Sequence, residues 1–280
     1  TATGVQSPPT DSLYQLFGLA AVHWAQTTFL ATQWPFNERI ENVIQMFTSG
    51  CQGAFFFTLG QTVEGINFGN QKFEGPVPPG VPGEGNVTAV ISRGNIVLTG
   101  DAAGNSVVIY TNSDGWVTVA GVGQTTIQGS ATPWVLEGWT SVTADLVVNM
   151  NGGDDIVILR DVHVGADVLV DSHAGNDVLL TTSATIAGNL EFKSASGSNS
   201  LGMSSTTVGG NLKYTGGTGF DALYTTGLMV AGRTAITGNK GAELFAVENS
   251  SFLGTVTVNL GDGSDQLAVL AGNSFSDRVT

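Results

Sequence analysis

At 280 residues, with 41% hydrophobic side chains, 11% charged and 39 glycines, the chain is too apolar for a disordered polymer and long enough to bury a sizeable core. Its 9 basic and 23 acidic residues leave a net charge of −14, and the basic ones are scattered. Neither a nucleic-acid phosphate track nor an anionic membrane surface is an expected partner, and the single Cys51 rules out a disulfide framework within one chain.

Residues 1–10 carry Pro8-Pro9 and no periodicity, which predicts an extended arm. Thr10 or Asp11 caps a predicted helix to about residue 31, with Leu13, Leu16, Phe17, Ala20 and Trp24 on one side and Leu19, Val22 and Phe29 on the other. A helix apolar on most sides is expected to be buried. Gln15, His23 and Gln26 interrupt it and no Lys or Arg flanks it, so no membrane span is expected. Asn37 is a good N-cap for a second helix, with Glu38 and Glu41 in its first turn and Ile40, Val43, Ile44 and Phe47 at helical spacing before Gly50. Strands at 54–59 and 63–68 precede a Pro/Gly linker at 76–83. The first domain, an arm with helices and short strands, is therefore expected to span 1–80.

From residue 86 onward the chain is β-rich, with strands expected at 87–92, 95–99, 106–111, 116–120 and 125–128. Residues 81–143 read as irregular coils, out of phase through an insertion around 132–139. Residues 144–280 are periodic. Gly153, Gly175, Gly197, Gly219, Gly241 and Gly263 recur every 22 residues. Two positions after each stands Asp155, Asp177, Asn199, Asp221, Glu243 or Asp265, and four after it Val157, Leu179, Leu201, Leu223, Phe245 or Leu267. Small residues at Gly188, Gly210, Gly232 and Gly254 close the units. Self-similarity at this period, with apolar columns spaced by two, predicts a mainly β chain: a parallel β-helix (solenoid) of 22-residue coils preceded by an α-helical N-terminal region. Six such rungs at about 4.8 Å stack to roughly 29 Å. The glycines are expected at a corner that needs a positive φ or a close backbone approach.

The run Gly-Asn-Ile-Val-Leu-Thr-Gly-Asp-Ala-Ala-Gly-Asn at 94–105, with the turns Gly153-Asp-Asp, Gly175-Asn-Asp and Gly263-Ser-Asp, resembles the secreted, repeat-rich β-solenoid surface proteins of planctomycete-type bacteria. The resemblance covers about residues 86–277, and it implies architecture and an extracellular or cell-surface location in a bacterium rather than a chemistry. A surface rich in Gly, Thr, Ser and Asn and poor in Lys also suits export.

The acidic column supports two readings. In one, each Asp or Asn satisfies turn amides as a polar corner ladder. In the other, Asp154, Asp155, Asn176, Asp177, Asp262 and Asp265 donate oxygens to calcium between turns, in partial likeness to a calcium-binding nonapeptide that repeats every nine residues rather than 22. Outward, Asp171 aligns with Lys193 and Glu191 with Lys213, which reads as cross-rung pairing. His163 and His173 fall at different points of their coils and no Ser/His/Asp or GxxxxGK arrangement exists, so an enzyme is not expected and no cofactor is called for beyond the calcium of the second reading. Trp116, Trp134 and Trp139 read as core or cap, or as a sugar platform. The expected function is a structural subunit that assembles with itself head to tail into an extracellular fibre, sheath or surface layer. Residues 1–80, through Leu13, Leu16, Phe17 and Trp24, would cover the next subunit's last rung around Val256, Leu267 and Val269. The alternative is an adhesin or glycan-binding module, with polysaccharide as partner and the β-helix as spacer.

Overall fold

The computed structural model describes residues 85–280, and the expected arm, helices, strands and linker of residues 1–80 lie outside them. The described residues form strands and turns without a helix, wound as a parallel β-solenoid of three faces. Because a coil can bury its inward side chains only against the coils above and below, each strand pairs with its equivalent 22 residues away. The first face stacks β7 (Leu146–Asn149), β10 (Val168–Ala174), β13 (Leu190–Ser196), β16 (Leu212–Thr215), β19 (Thr234–Thr237) and β22 (Val256–Asn259). The second stacks β8 (Ile156–Arg160), β11 (Val178–Thr182), β14 (Ser200–Ser204), β17 (Asp221–Thr226), β20 (Glu243–Glu248) and β23 (Gln266–Val269). Two-residue strands make the third: β9 (His163–Val164), β12 (Thr185–Ile186), β15 (Thr207–Val208), β18 (Met229–Val230), β21 (Ser251–Phe252) and β24 (Ser274–Phe275).

The period-2 alternation of each strand sends one column inward on every face. Val157, Leu179, Leu201, Leu223 and Phe245 form one buried column, and Leu146, Val168, Leu190 and Leu212 another. Phe192 and Tyr214 lie tilted against each other at 5.7 Å between ring centres. Some interior hydroxyls pair with each other, Thr181 with Thr206 at 2.9 Å and Thr225 with Ser250 at 3.3 Å.

The corner glycines follow from close approach. A Cβ at Gly175, whose φ is +146°, would lie 1.7 Å from the Gly153 carbonyl oxygen. At Gly188, Gly210, Gly232 and Gly254 a Cβ would meet side-chain or carbonyl oxygens of the coil before at 2.2 to 2.6 Å, a looser approach that still excludes a side chain.

The first coil joins the stack before the regular repeat begins. β2 (Asn95–Thr99) and β3 (Ser106–Thr111) pair in parallel with β7 and β8, but their partners are 50 residues away instead of 22. The difference is a long excursion after Thr111, wider than the expected insertion at 132–139, and it closes the solenoid's N-terminal end. β1 (Asn86–Ser92) pairs antiparallel with β2 through a turn in which Arg93 and Gly94 both have positive φ, and β4 (Val117–Gly121) pairs antiparallel with β3. Among the described residues, beyond them lie only the two-residue strands β5 (Thr126–Ile127) and β6 (Trp134–Val135), which are short, blunted edges.

At the other end of the described residues β22, β23 and β24 end their sheets. The last coil carries one extra residue, with Ser251 paired to Ser274 and Val256 to Val279. Residues 278–280 lie along β22, where Arg278 and Thr280 carbonyls accept from the Val256 and Val258 amides at 3.0 and 2.8 Å. Val256 is consequently covered, and the expectation that it lies on the open rung is corrected. Leu267 and Val269 do lie there, 52% and 55% exposed, whereas their equivalents one coil earlier, Phe245 and Val247, are buried.

Candidate functional site

Three columns of polar residues run along the corners of the solenoid, and each does its work through a side-chain oxygen bonded to the backbone of an adjacent coil. The inward column is Asp155, Asp177, Asn199, Asp221 and Glu243, all buried. It starts where the glycine corner turns into the second face, so that position is forced inside by the close approach of the backbone. Asp155 Oδ1 accepts the Asn105 amide at 2.7 Å, Asp177 Oδ1 the Asp155 amide at 3.1 Å, Asn199 Oδ1 the Asp177 amide at 3.1 Å and Asp221 Oδ1 the Asn199 amide at 2.9 Å. Asp265 Oδ1 continues the series by accepting from Glu243 at 3.1 Å. In this column every side chain but that of Glu243 reaches back to the coil before it.

One residue earlier the direction reverses. Asp154 Oδ1 accepts from the Asn176 amide at 2.8 Å and Asn176 Oδ1 from the Ser198 amide at 2.9 Å, so these outer side chains reach forward. A third column at another corner, unrecognised in the sequence, does the same: Asn95 to Asp145, Asp145 to Asp167, Asp167 to Asn189, Asn189 to Asn211 and Asn211 to Arg233, each oxygen accepting the next amide at 2.7 to 3.2 Å. Its signal was available from Asp145 onward, since those residues share the 22-residue interval and stand eight positions before the glycines.

The six residues of the calcium reading do not converge. Asp155 and Asp177 turn inward while Asn176 is exposed, and Asp262 and Asp265 sit five coils from Asp154 and Asp155, about 24 Å along the stack. Their Oδ1 atoms are in large part committed to amides, and among the described residues no group of three or more His, Cys, Asp or Glu side chains is placed to hold a metal ion. The geometry is that of a corner ladder.

Burial sets the electrostatics of the inward column. Removal from water pushes the Asp155 carboxyl up to about 8 and the Asp177 carboxyl up to about 6, against amide and hydroxyl hydrogen bonds that pull the other way. It also raises Asp221, and it raises Glu243, where contact with the Asp265 carboxyl adds to the effect.

The outer face carries the expected pairs, Lys193 to Asp171 at 3.0 Å and Lys213 to Glu191 at 2.7 Å. Trp134 and Trp139 pack against the hydrophobic core, so two of the three tryptophans considered for a sugar platform serve as cap. Both His163 and His173 are exposed, and His173 Nδ1 lies 3.1 Å from Asp171.

Compared with protein-family models, curated proteins and solved structures, the chain matches none. The site must therefore be read from its own geometry, and that geometry is one of cohesion between coils and a last coil with exposed apolar side chains.

Proposed function

We propose that this protein is a structural subunit of an extracellular fibre, sheath or surface layer, built by docking the open end of one β-solenoid against the N-terminal region of the next copy. The observation that carries the reading is the last coil. Leu267 and Val269 occupy two columns that are buried in every earlier regular coil, yet they are half exposed on a strand that among the described residues pairs along one edge alone, and Val279, over Val256, is 49% exposed. An apolar strand edge of this kind recruits another chain. The N-terminal end of the described solenoid is closed by antiparallel strands, so the two ends differ, and a contact between unlike surfaces need not close on itself. Residues 1–80, apolar at Leu13, Leu16, Phe17 and Trp24, are the segment offered for the contact.

Sedimentation and negative-stain microscopy of the full chain test this. Filaments or sheets are expected from the wild type, and dispersed particles from Leu267→Lys/Val269→Lys and from deletion of residues 1–35. Wild-type protein that stays monomeric at every concentration would sink the proposal, and polysaccharide binding by that monomer would favour the adhesin instead.

A further inference from the structure

The inward corner column contains more than its ladder requires. One oxygen of each aspartate receives an amide from the coil before, but Oδ2 of Asp155, Asp177 and Asp221 and both carboxyl oxygens of Glu243 are buried without a hydrogen-bond partner among the described residues. The hydroxyl of Tyr214, a residue 2% exposed, is likewise unpartnered, and it lies within the field of Asp177, Asp221 and Glu243. Buried carboxylates in adjacent coils, about 4.8 Å apart, cannot all stay charged without a counter-charge.

Among the described residues one neighbour of the column can be cationic. The groups around the column are Asn105 and Asp154 at Asp155, Ser172, His173 and Asp154 at Asp177, Asn199, the Gly217 amide and Tyr214 at Asp221, and Asp265, Asp221 and the Asn239 amide at Glu243. Of these only His173 can carry positive charge, and it is exposed and engaged by Asp171.

Asn199 shows what the column accepts instead. It is the neutral isostere of aspartic acid at the same position, and its Nδ2 donates to the Gly197 carbonyl at 3.1 Å and to Asp221 Oδ1 at 3.0 Å. A proton on Oδ2 of Asp177 or Asp155 would make the corresponding donor in a corner of the same shape.

We infer that the inward column is a proton-loaded ladder, in which Asp155, Asp177, Asp221 and Glu243 bind protons on folding and hold coils together in their neutral form. This makes cohesion of the solenoid sensitive to alkali. Each folded carboxyl titrates above its unfolded value of about 4, so its contribution is fully present below that pH and is lost as pH rises through the folded values, the window from about 4 to about 8. Within it, the folding equilibrium constant falls by up to about tenfold per pH unit for each carboxyl protonated only in the fold.

The test is urea unfolding of the full chain from about pH 5 to about pH 9, with infrared detection of protonated carboxyls in the native state. The wild type should weaken steadily with pH and show a protonated-carboxyl band at neutral pH. Asp155→Asn/Asp177→Asn should flatten the pH slope and shrink the band, whereas Asp167→Asn, on the column at another corner and absent from the groups around these carboxyls, should leave both unchanged. Stability that is level or rises with pH, or a wild-type spectrum lacking the band, overturns the inference; both readings need only wild-type protein, so they stand even if the double variant does not fold.

Discussion

Two glycine-to-alanine changes separate the steric demand of the corner from the conformational demand of positive φ. At Gly115, φ is +82° and an added Cβ meets nothing within 4 Å. Alanine there pays only for the left-handed backbone, about 1 to 2 kcal/mol. At Gly241 the backbone needs no positive φ, but a Cβ would stand 1.5 Å from the Gly219 carbonyl oxygen, with ordinary contact beginning at 3.4 Å. The two coils would have to part by about 2 Å over a spacing of about 4.8 Å, more than the pairing of Asp221 with Glu243 and of Ala222 with Leu244 can absorb. Loss of that stretch of β17 and β20 places Gly241→Ala beyond about 4 kcal/mol, in the range reserved for disrupted cores and strained backbones. Denaturant unfolding followed by circular dichroism measures both, with Gly115→Ala as the internal standard. Equal midpoints for the two variants would show that the corner yields to a methyl group and that stacked glycines are not what sets the 22-residue coil.

Other substitutions grade the remaining interactions. Leu179→Ala removes a fully buried side chain between Val157 and Leu201 and should cost about 3 to 5 kcal/mol in the same assay. Asn211→Ala strands the Arg233 amide that its oxygen receives at 2.8 Å; a loss of about 1 kcal/mol is expected, with Asn211→Asp retaining most of the stability because it keeps the acceptor. Lys213→Ala breaks a pair whose side chains are 55% and 33% exposed, so it should cost less than about 0.5 kcal/mol, and even that should disappear in concentrated salt.

What was legible in the sequence was whatever repeats. The columns through Leu179 and Val168, the glycine corner and the Asp171–Lys193 and Glu191–Lys213 pairs follow from the 22-residue interval alone, because parallel stacking places equivalent residues directly over one another. Strand direction in the first coils was not legible, since alternation of apolar and polar residues is the same in parallel and antiparallel strands. The Arg93-Gly94 turn was the overlooked sign of a hairpin. The covering of Val256 was within reach of the 22-residue interval, which carries the chain from 256 to 278; the residue inserted in the last coil, which puts Val279 rather than Arg278 over Val256 and Phe275 over Phe252, has no signature in composition. At the candidate site, residue type pointed to the Asp155 column, but nothing in spacing says whether a side chain reaches to the coil before it or after it. The Asp145, Asp167, Asn189 column fulfils the same role and went unnoticed beside the glycine-centred pattern.

Near-identical coils carry an entropic hazard as well as a structural economy. A folding chain that skips one coil still finds glycine over glycine and leucine over leucine, so the misaligned state is a nearly degenerate competitor. The unequal members of each column break that degeneracy. With one coil looped out, Asp171 would meet Thr215 instead of Lys193, and Glu191 would meet Ala235 instead of Lys213. Such a skip would also lay Val170 on Tyr214 in place of Phe192, parting the two rings that now touch. The irregularities scattered through an otherwise uniform repeat thus act as an address code, giving each coil one correct neighbour among several that would fit.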